Sequence, residues 1–80
     1  MITSQELYES GFASSETKDD EIIYIEFSKF INGIEIQVTH EIVDGIVDQC
    51  YVEIGVDLSY RKLVNVDTIE KIFLLEKLLK

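Results

Sequence analysis

The sequence predicts an α+β domain: a short N-terminal helix, a four-stranded antiparallel β-meander and a C-terminal helix packed on one face of the sheet. Three observations lead there. From Ile22 into the fifties, apolar and polar residues alternate with the two-residue period of half-buried strands. Asn32-Gly33 and Asp44-Gly45 interrupt that alternation as hairpin turns. From Ile69 to Lys80 the period becomes helical, and seven of these twelve residues are apolar.

Met1 to Ser10 supplies the first helix. Thr3 and Glu6 have capping-box spacing, and Ile2 with Leu7 is the matching hydrophobic staple. Gly11 stands where a left-handed residue ends a helix, and Phe12 is placed to fold back on Leu7. A helix over residues 4–10 is too short to stand alone, so it must dock.

Residues 13–21 are polar and acidic with no periodicity, which reads as a mobile acidic connection. In the first strand Ile23, Ile25 and Phe27 alternate with Tyr24, Glu26 and Ser28. A two-residue turn at Asn32-Gly33 pairs Ile31 with Ile34, Phe27 with Val38 and Ile25 with His40 on one side. Tyr24 then meets Glu41, Glu26 meets Thr39 and Phe30 meets Glu35 on the other.

The turn at Asp44-Gly45 is less simple. A plain two-residue loop continued along the strand would turn Cys50, Val52 and Ile54 away from the core. A register one residue longer pairs Val38 with Val52, Ile36 with Ile54 and His40 with Cys50. It requires a longer loop or a bulge near Asp44 to Val47. The third strand then spans about Asp48–Val56. Asp57 to Tyr60 turns the chain, and Arg61 to Val66 is a short fourth strand.

Asp67 and Glu70 form a second capping box for the last helix, whose final turn holds Lys77 and Lys80. A step of 100° per residue gathers Ile69, Ile72, Phe73, Leu75 and Leu79 in one arc and leaves Glu70, Glu76, Lys77 and Lys80 for water. Leu74 and Leu78 fall to one side, at i and i+4. They are the candidate interface of a homodimer, unless Leu7 and Phe12 cover them.

Eighty residues make one domain, 1–80, with a thin core. No stretch is apolar enough for a membrane span, and no N-terminal signal segment is evident. The single cysteine, Cys50, allows no internal disulfide and fits a cytoplasmic location. The net charge is −9 and unevenly spread. Residues 1–57 hold thirteen acids against two bases, and residues 58–80 hold three against five. Such a field disfavours direct binding of nucleic acid or anionic membranes and favours a basic protein partner, although solubility alone also accounts for it.

Catalysis is poorly supplied. The one histidine, His40, falls on the apolar face beside Cys50, where a buried thiol and a rim histidine are the plainer reading than a nucleophile and its base. Metal-ligand spacing is missing, and the four glycines make no phosphate loop, so neither metal nor cofactor is expected. The open sheet face remains, carrying Tyr24, Glu26, Phe30, Glu35, Glu41, Tyr51 and Glu53. Carboxylates around a few aromatics suit a basic protein surface.

In layout, the opening Ile2-Thr3-Ser4-Gln5-Glu6-Leu7 and the closing Asn65-Val66-Asp67-Thr68-Ile69-Glu70-Lys71-Ile72 resemble small phage and mobile-element proteins of bacteria. Some proteins of that kind inhibit host defence systems, including acidic ones that imitate the phosphate backbone of DNA. The resemblance implies an anti-defence inhibitor that occupies a basic groove of a host effector, and it carries over no individual residue. The alternatives are a small-molecule or enzymatic module with its site at a dimer cleft holding His40 and Cys50, and an accessory protein without a ligand.

Overall fold

A computed structural model describes residues 1–80. It is an α+β fold of two helices and one five-stranded antiparallel sheet. The elements follow the chain as α1 (Ser4–Glu9), β1 (Ala13–Asp19), β2 (Ile22–Ile31), β3 (Ile34–Val43), β4 (Ile46–Val56), β5 (Ser59–Leu63) and α2 (Ile69–Leu79). The sheet order is the chain order, a simple meander.

The expected four strands are therefore five. The additional one is β1, which replaces the mobile connection expected over residues 13–21. It pairs along its whole length with β2, from Ala13 opposite Ser28 to Asp19 opposite Ile22. All seven of its residues are exposed, so no apolar alternation marks it. Its Ser, Thr, Glu and Lys side chains suit an edge strand, where charge discourages pairing with other chains.

The helix caps explain where α1 sits. Thr3 accepts from the Glu6 amide and Glu6 accepts from the Thr3 amide, so the capping box forms as expected. At the other end the Phe12 amide donates to Leu7 and the Gly11 amide to Tyr8, with Gly11 at φ +88°. These two bonds are the pattern of a Schellman ending. They fold Phe12 back so that Ile2, Leu7 and Phe12 all enter the core.

The β2–β3 register agrees with the reading of Asn32-Gly33 at every pair, including Phe27 with Val38 and Tyr24 with Glu41. Between β3 and β4, Val38 meets Val52, Ile36 meets Ile54 and His40 meets Cys50. Of the two devices expected, a longer loop or a bulge, the chain uses the bulge, one residue beyond Val47. Asp44-Gly45 keeps a tight turn, with Val43 opposite Ile46 and Ile42 opposite Val47. The next pair is Glu41 with Gln49, which leaves Asp48 as the extra residue of a bulge.

The last of the four hairpin turns is Asp57-Leu58, since Val56 already pairs with Ser59. β5 thus starts two residues earlier than expected and ends at Leu63, leaving Val64 exposed. The N-cap of α2 is Thr68 rather than Asp67: its side chain accepts from the Lys71 amide at 3.2 Å. Asp67 instead holds the Lys71 ammonium at 2.8 Å, which keeps its carboxyl below the usual range.

Both helices lie on the same side of the sheet. The core joins Ile2, Leu7 and Phe12 of the α1 segment, Phe27, Ile36, Val38 and Val52 of the sheet, and Ile69 and Ile72 of α2. Glu76, expected in water, is buried there. Its carboxylate takes the Lys29 ammonium at 3.0 Å, and Lys29 also donates to the Ser10 carbonyl at 2.8 Å. One cation thus ties α1, β2 and α2 together. Asn32 adds a second tie, donating from its turn to the Leu79 carbonyl at 2.8 Å.

Candidate functional site: the open face of the sheet

With both helices on one side, the other side of the sheet has no cover. Strand alternation decides what it shows. Residues directly opposite on antiparallel strands share a face, so the registers build cross-strand rows. One row runs Thr17, Tyr24, Glu41 and Gln49; the next runs Ser15, Glu26, Thr39 and Tyr51. Ser28, Gln37, Glu53 and Lys62 form a third, and Phe30, Glu35, Gly55 and Tyr60 a fourth. All seven expected site residues therefore stand on one surface. Asp19, Glu26, Glu35, Glu41 and Glu53 face one base, Lys62.

Local contacts hold these side chains in place. Gln37 donates to Glu26 at 2.7 Å. The Lys62 ammonium lies 4.2 Å from the centre of the Tyr51 ring, a cation–π contact. Burial, a hydrogen bond to Glu41 and the charges of Glu41 and Glu53 push the Tyr51 hydroxyl up to about 12. Tyr51 is therefore a neutral hydrogen-bonding group among carboxylates at any ordinary pH.

Tyr60, Leu58, Asp57 and Lys62 belong to this surface or its rim and were missed in the sequence. Starting β5 at Arg61 had assigned Leu58 and Tyr60 to a turn. Tyr60 donates to the Glu35 carboxylate, and that bond raises its own pKa. Its ring lies across Gly55: a Cβ there would come within 2.3 Å of Tyr60 Cε1. Glycine at 55 is thus what lets the ring lie flat, as aromatics do when they cover a glycine in a sheet.

At this end of the face a shallow cleft of about 260 Å³ is lined by Phe30, Glu35, Gly55, Asp57, Leu58 and Tyr60. Phe30 is 68% exposed and Leu58 90% exposed. Leu58 is also held at φ +67°. Of the other three meander turns, Asn32-Gly33 and Asp44-Gly45 place glycine at the equivalent second position, and Asp20-Glu21 has no left-handed residue there. A leucine in the left-handed region is rare and costs stability, and here the side chain gains little packing in return.

The His40–Cys50 pair lies on the opposite face, closed beneath the N-terminal segment. His40 Nε2 sits 2.9 Å from the Ile2 carbonyl, so this nitrogen carries the proton and Nδ1 has no partner. Burial lowers the His40 pKa and raises that of the Cys50 thiol. Both shifts favour neutral groups, the opposite of an activated nucleophile and base. No group of three or more His, Cys, Asp or Glu side chains stands close enough to hold a metal ion. No helix is long and apolar enough to cross a membrane.

A scan of protein-family models, a search of curated proteins and a search of solved structures return no match to this chain.

Proposed function

We propose that the chain is a small acidic protein-interaction module whose open sheet face binds a basic protein surface. The observation that carries this reading is the concentration of carboxylates, fixed aromatics and the Phe30–Leu58–Tyr60 cleft on the one sheet face that nothing covers. Acidic rows of this kind speed the approach of a cationic partner, while exposed aromatic and aliphatic side chains supply contact area. Leu58 strengthens the reading, because a strained and exposed leucine is more useful to a partner than to this fold. A lysine or arginine of the partner fits the cleft, its stem against Phe30 and Tyr60 and its charge beside Glu35 and Asp57. The layout shared with phage proteins extends this to an inhibitor that covers a nucleic-acid groove of a bacterial effector.

The test is capture of a basic protein from a bacterial lysate, with washes of rising salt, followed by kinetics on the captured protein. Replacing Glu26, Glu35 and Glu53 by Gln should slow association about tenfold and flatten its salt dependence. An unchanged association rate at low salt, with the fold intact, removes this face and leaves solubility as the role of the charge.

A further inference from the structure

We infer that the outward face of α2 is the contact surface of a two-fold homodimer, with the two helices antiparallel and crossing at Leu74. The core takes Ile69, Ile72 and Glu76, which leaves Phe73 48%, Leu74 60% and Leu78 83% exposed. The rival arrangement, in which Leu7 and Phe12 cover the leucine pair, is excluded: both of those side chains are spent on the core.

Charge identifies the occupant as a second copy. On the outward face Asp67, Glu70 and Lys71 stand at the N-terminal end and Lys77 at the C-terminal end. Only two ion pairs exist in the structure, Lys29–Glu76 and Asp67–Lys71, so Asp67 and Lys71 cancel and the unpaired charges on this face are Glu70 at one end and Lys77 at the other. Leu74 is the middle residue of α2. A two-fold axis beside it sets the acidic end of each helix against the basic end of the other. Glu70 then approaches Lys77 of the second copy while Leu74 meets Leu74. Residues 1–57 balance at −11 and would repel their copies, whereas residues 58–80 balance at +2. The α2 face is therefore the apolar surface on which self-association meets least repulsion.

Sedimentation velocity from micromolar to hundreds of micromolar protein tests this. The wild-type mass should rise from one chain toward two. Leu74→Glu should weaken the dimer about a hundredfold, since the lost contact lies at the centre of the interface. Glu70→Lys and Lys77→Glu should each weaken it, and the two combined should recover it, because the exchanged charges face each other again in an antiparallel pair. Far-ultraviolet circular dichroism of each variant establishes that the fold is retained, as expected for exposed positions. The Glu26→Gln, Glu35→Gln, Glu53→Gln variant should dimerise as before, so this inference and the partner-binding reading fail separately. A single-chain mass at every concentration, a dimer that survives Leu74→Glu with Leu78→Glu, or no recovery in the charge exchange overturns it.

Discussion

Leu58 gives the sharpest separation between stability and function. It is the second residue of the Asp57-Leu58 turn, at φ +67°. A left-handed conformation costs an ordinary L-residue about 1–2 kcal/mol. Full burial of a leucine side chain is worth about 1.5–3 kcal/mol, and at 90% exposure only about a tenth of that, roughly 0.2 kcal/mol, offsets the strain. Replacement by asparagine, which tolerates this region, should therefore stabilise the protein by about 0.5–1 kcal/mol. Glycine should gain less, about 0.5 kcal/mol, because it also frees the unfolded chain. For a domain of this size the melting temperature should rise by about 2–8 °C. Thermal and urea unfolding read the change, and binding to the captured partner should weaken in the same variants. A fall in melting temperature for both substitutions refutes the reasoning, since it would mean that Leu58 packs against the fold or is unstrained.

Three further outcomes follow from the core. Phe27→Ala, at the fully buried centre of the sheet, should cost about 3–5 kcal/mol in urea unfolding. Lys29→Met leaves the Glu76 carboxylate without its cation and should cost about 1–3 kcal/mol; Glu76→Leu added to it should restore most of the loss, read as a coupling energy. Burial holds the folded His40 pKa below its ordinary value near 6.5, so the unfolded chain takes up a proton that the folded one refuses. Stability should therefore fall as pH drops through about 6.5 toward the lowered folded value, and urea midpoints should decline less steeply there for His40→Gln, which keeps the bond to Ile2.

The sequence was most legible where turn chemistry and alternation agree. Asn32-Gly33 alone sets ten β2–β3 pairs, because a one-residue slip would expose Phe27 and bury Glu26. The β3–β4 register followed from keeping Cys50, Val52 and Ile54 on the core side, and of the longer loop and the bulge that could achieve it, the chain uses a bulge, at the unpaired Asp48. β1 was illegible for a physical reason: a strand with every residue exposed has no hydrophobic period to detect. Glu76 was misread by residue type. At 100° per residue it falls between Ile69 and Ile72, inside the buried arc. The compensating signal was Lys29, which occupies a core-side position between Phe27 and Ile31. A cation on the apolar side of one element and an anion in the apolar arc of another are best read together, since neither is stable there alone. The candidate site was legible to the extent that β2, β3 and β4 were. Leu58 and Tyr60 lay hidden because Asp-Leu is a poor turn signal, which is also why its presence is informative.

The two proposed surfaces are separated by the sheet itself. Alternation sends Glu26, Glu35, Glu41 and Glu53 to one side of the strands, while α1 and α2 occupy the other. Leu74 and Leu78 lie on the outer side of α2, beyond the core and turned away from the acidic rows. A two-fold pair formed through α2 would therefore place two acidic faces on opposite outer sides of one particle. Neither face would be covered by dimerisation, and their mutual repulsion would be small beyond a separation of about 8–10 Å, the screening length at ordinary salt. Such a particle presents two copies of one weak, charge-steered surface. Two sites engaging a partner that repeats its basic surface gain from effective concentration without any new contact. The Leu74→Glu monomer should then bind an isolated copy of that partner surface as the wild type does, and bind the repeating partner more weakly. Equal loss on both would mean that α2 takes part in the partner contact itself.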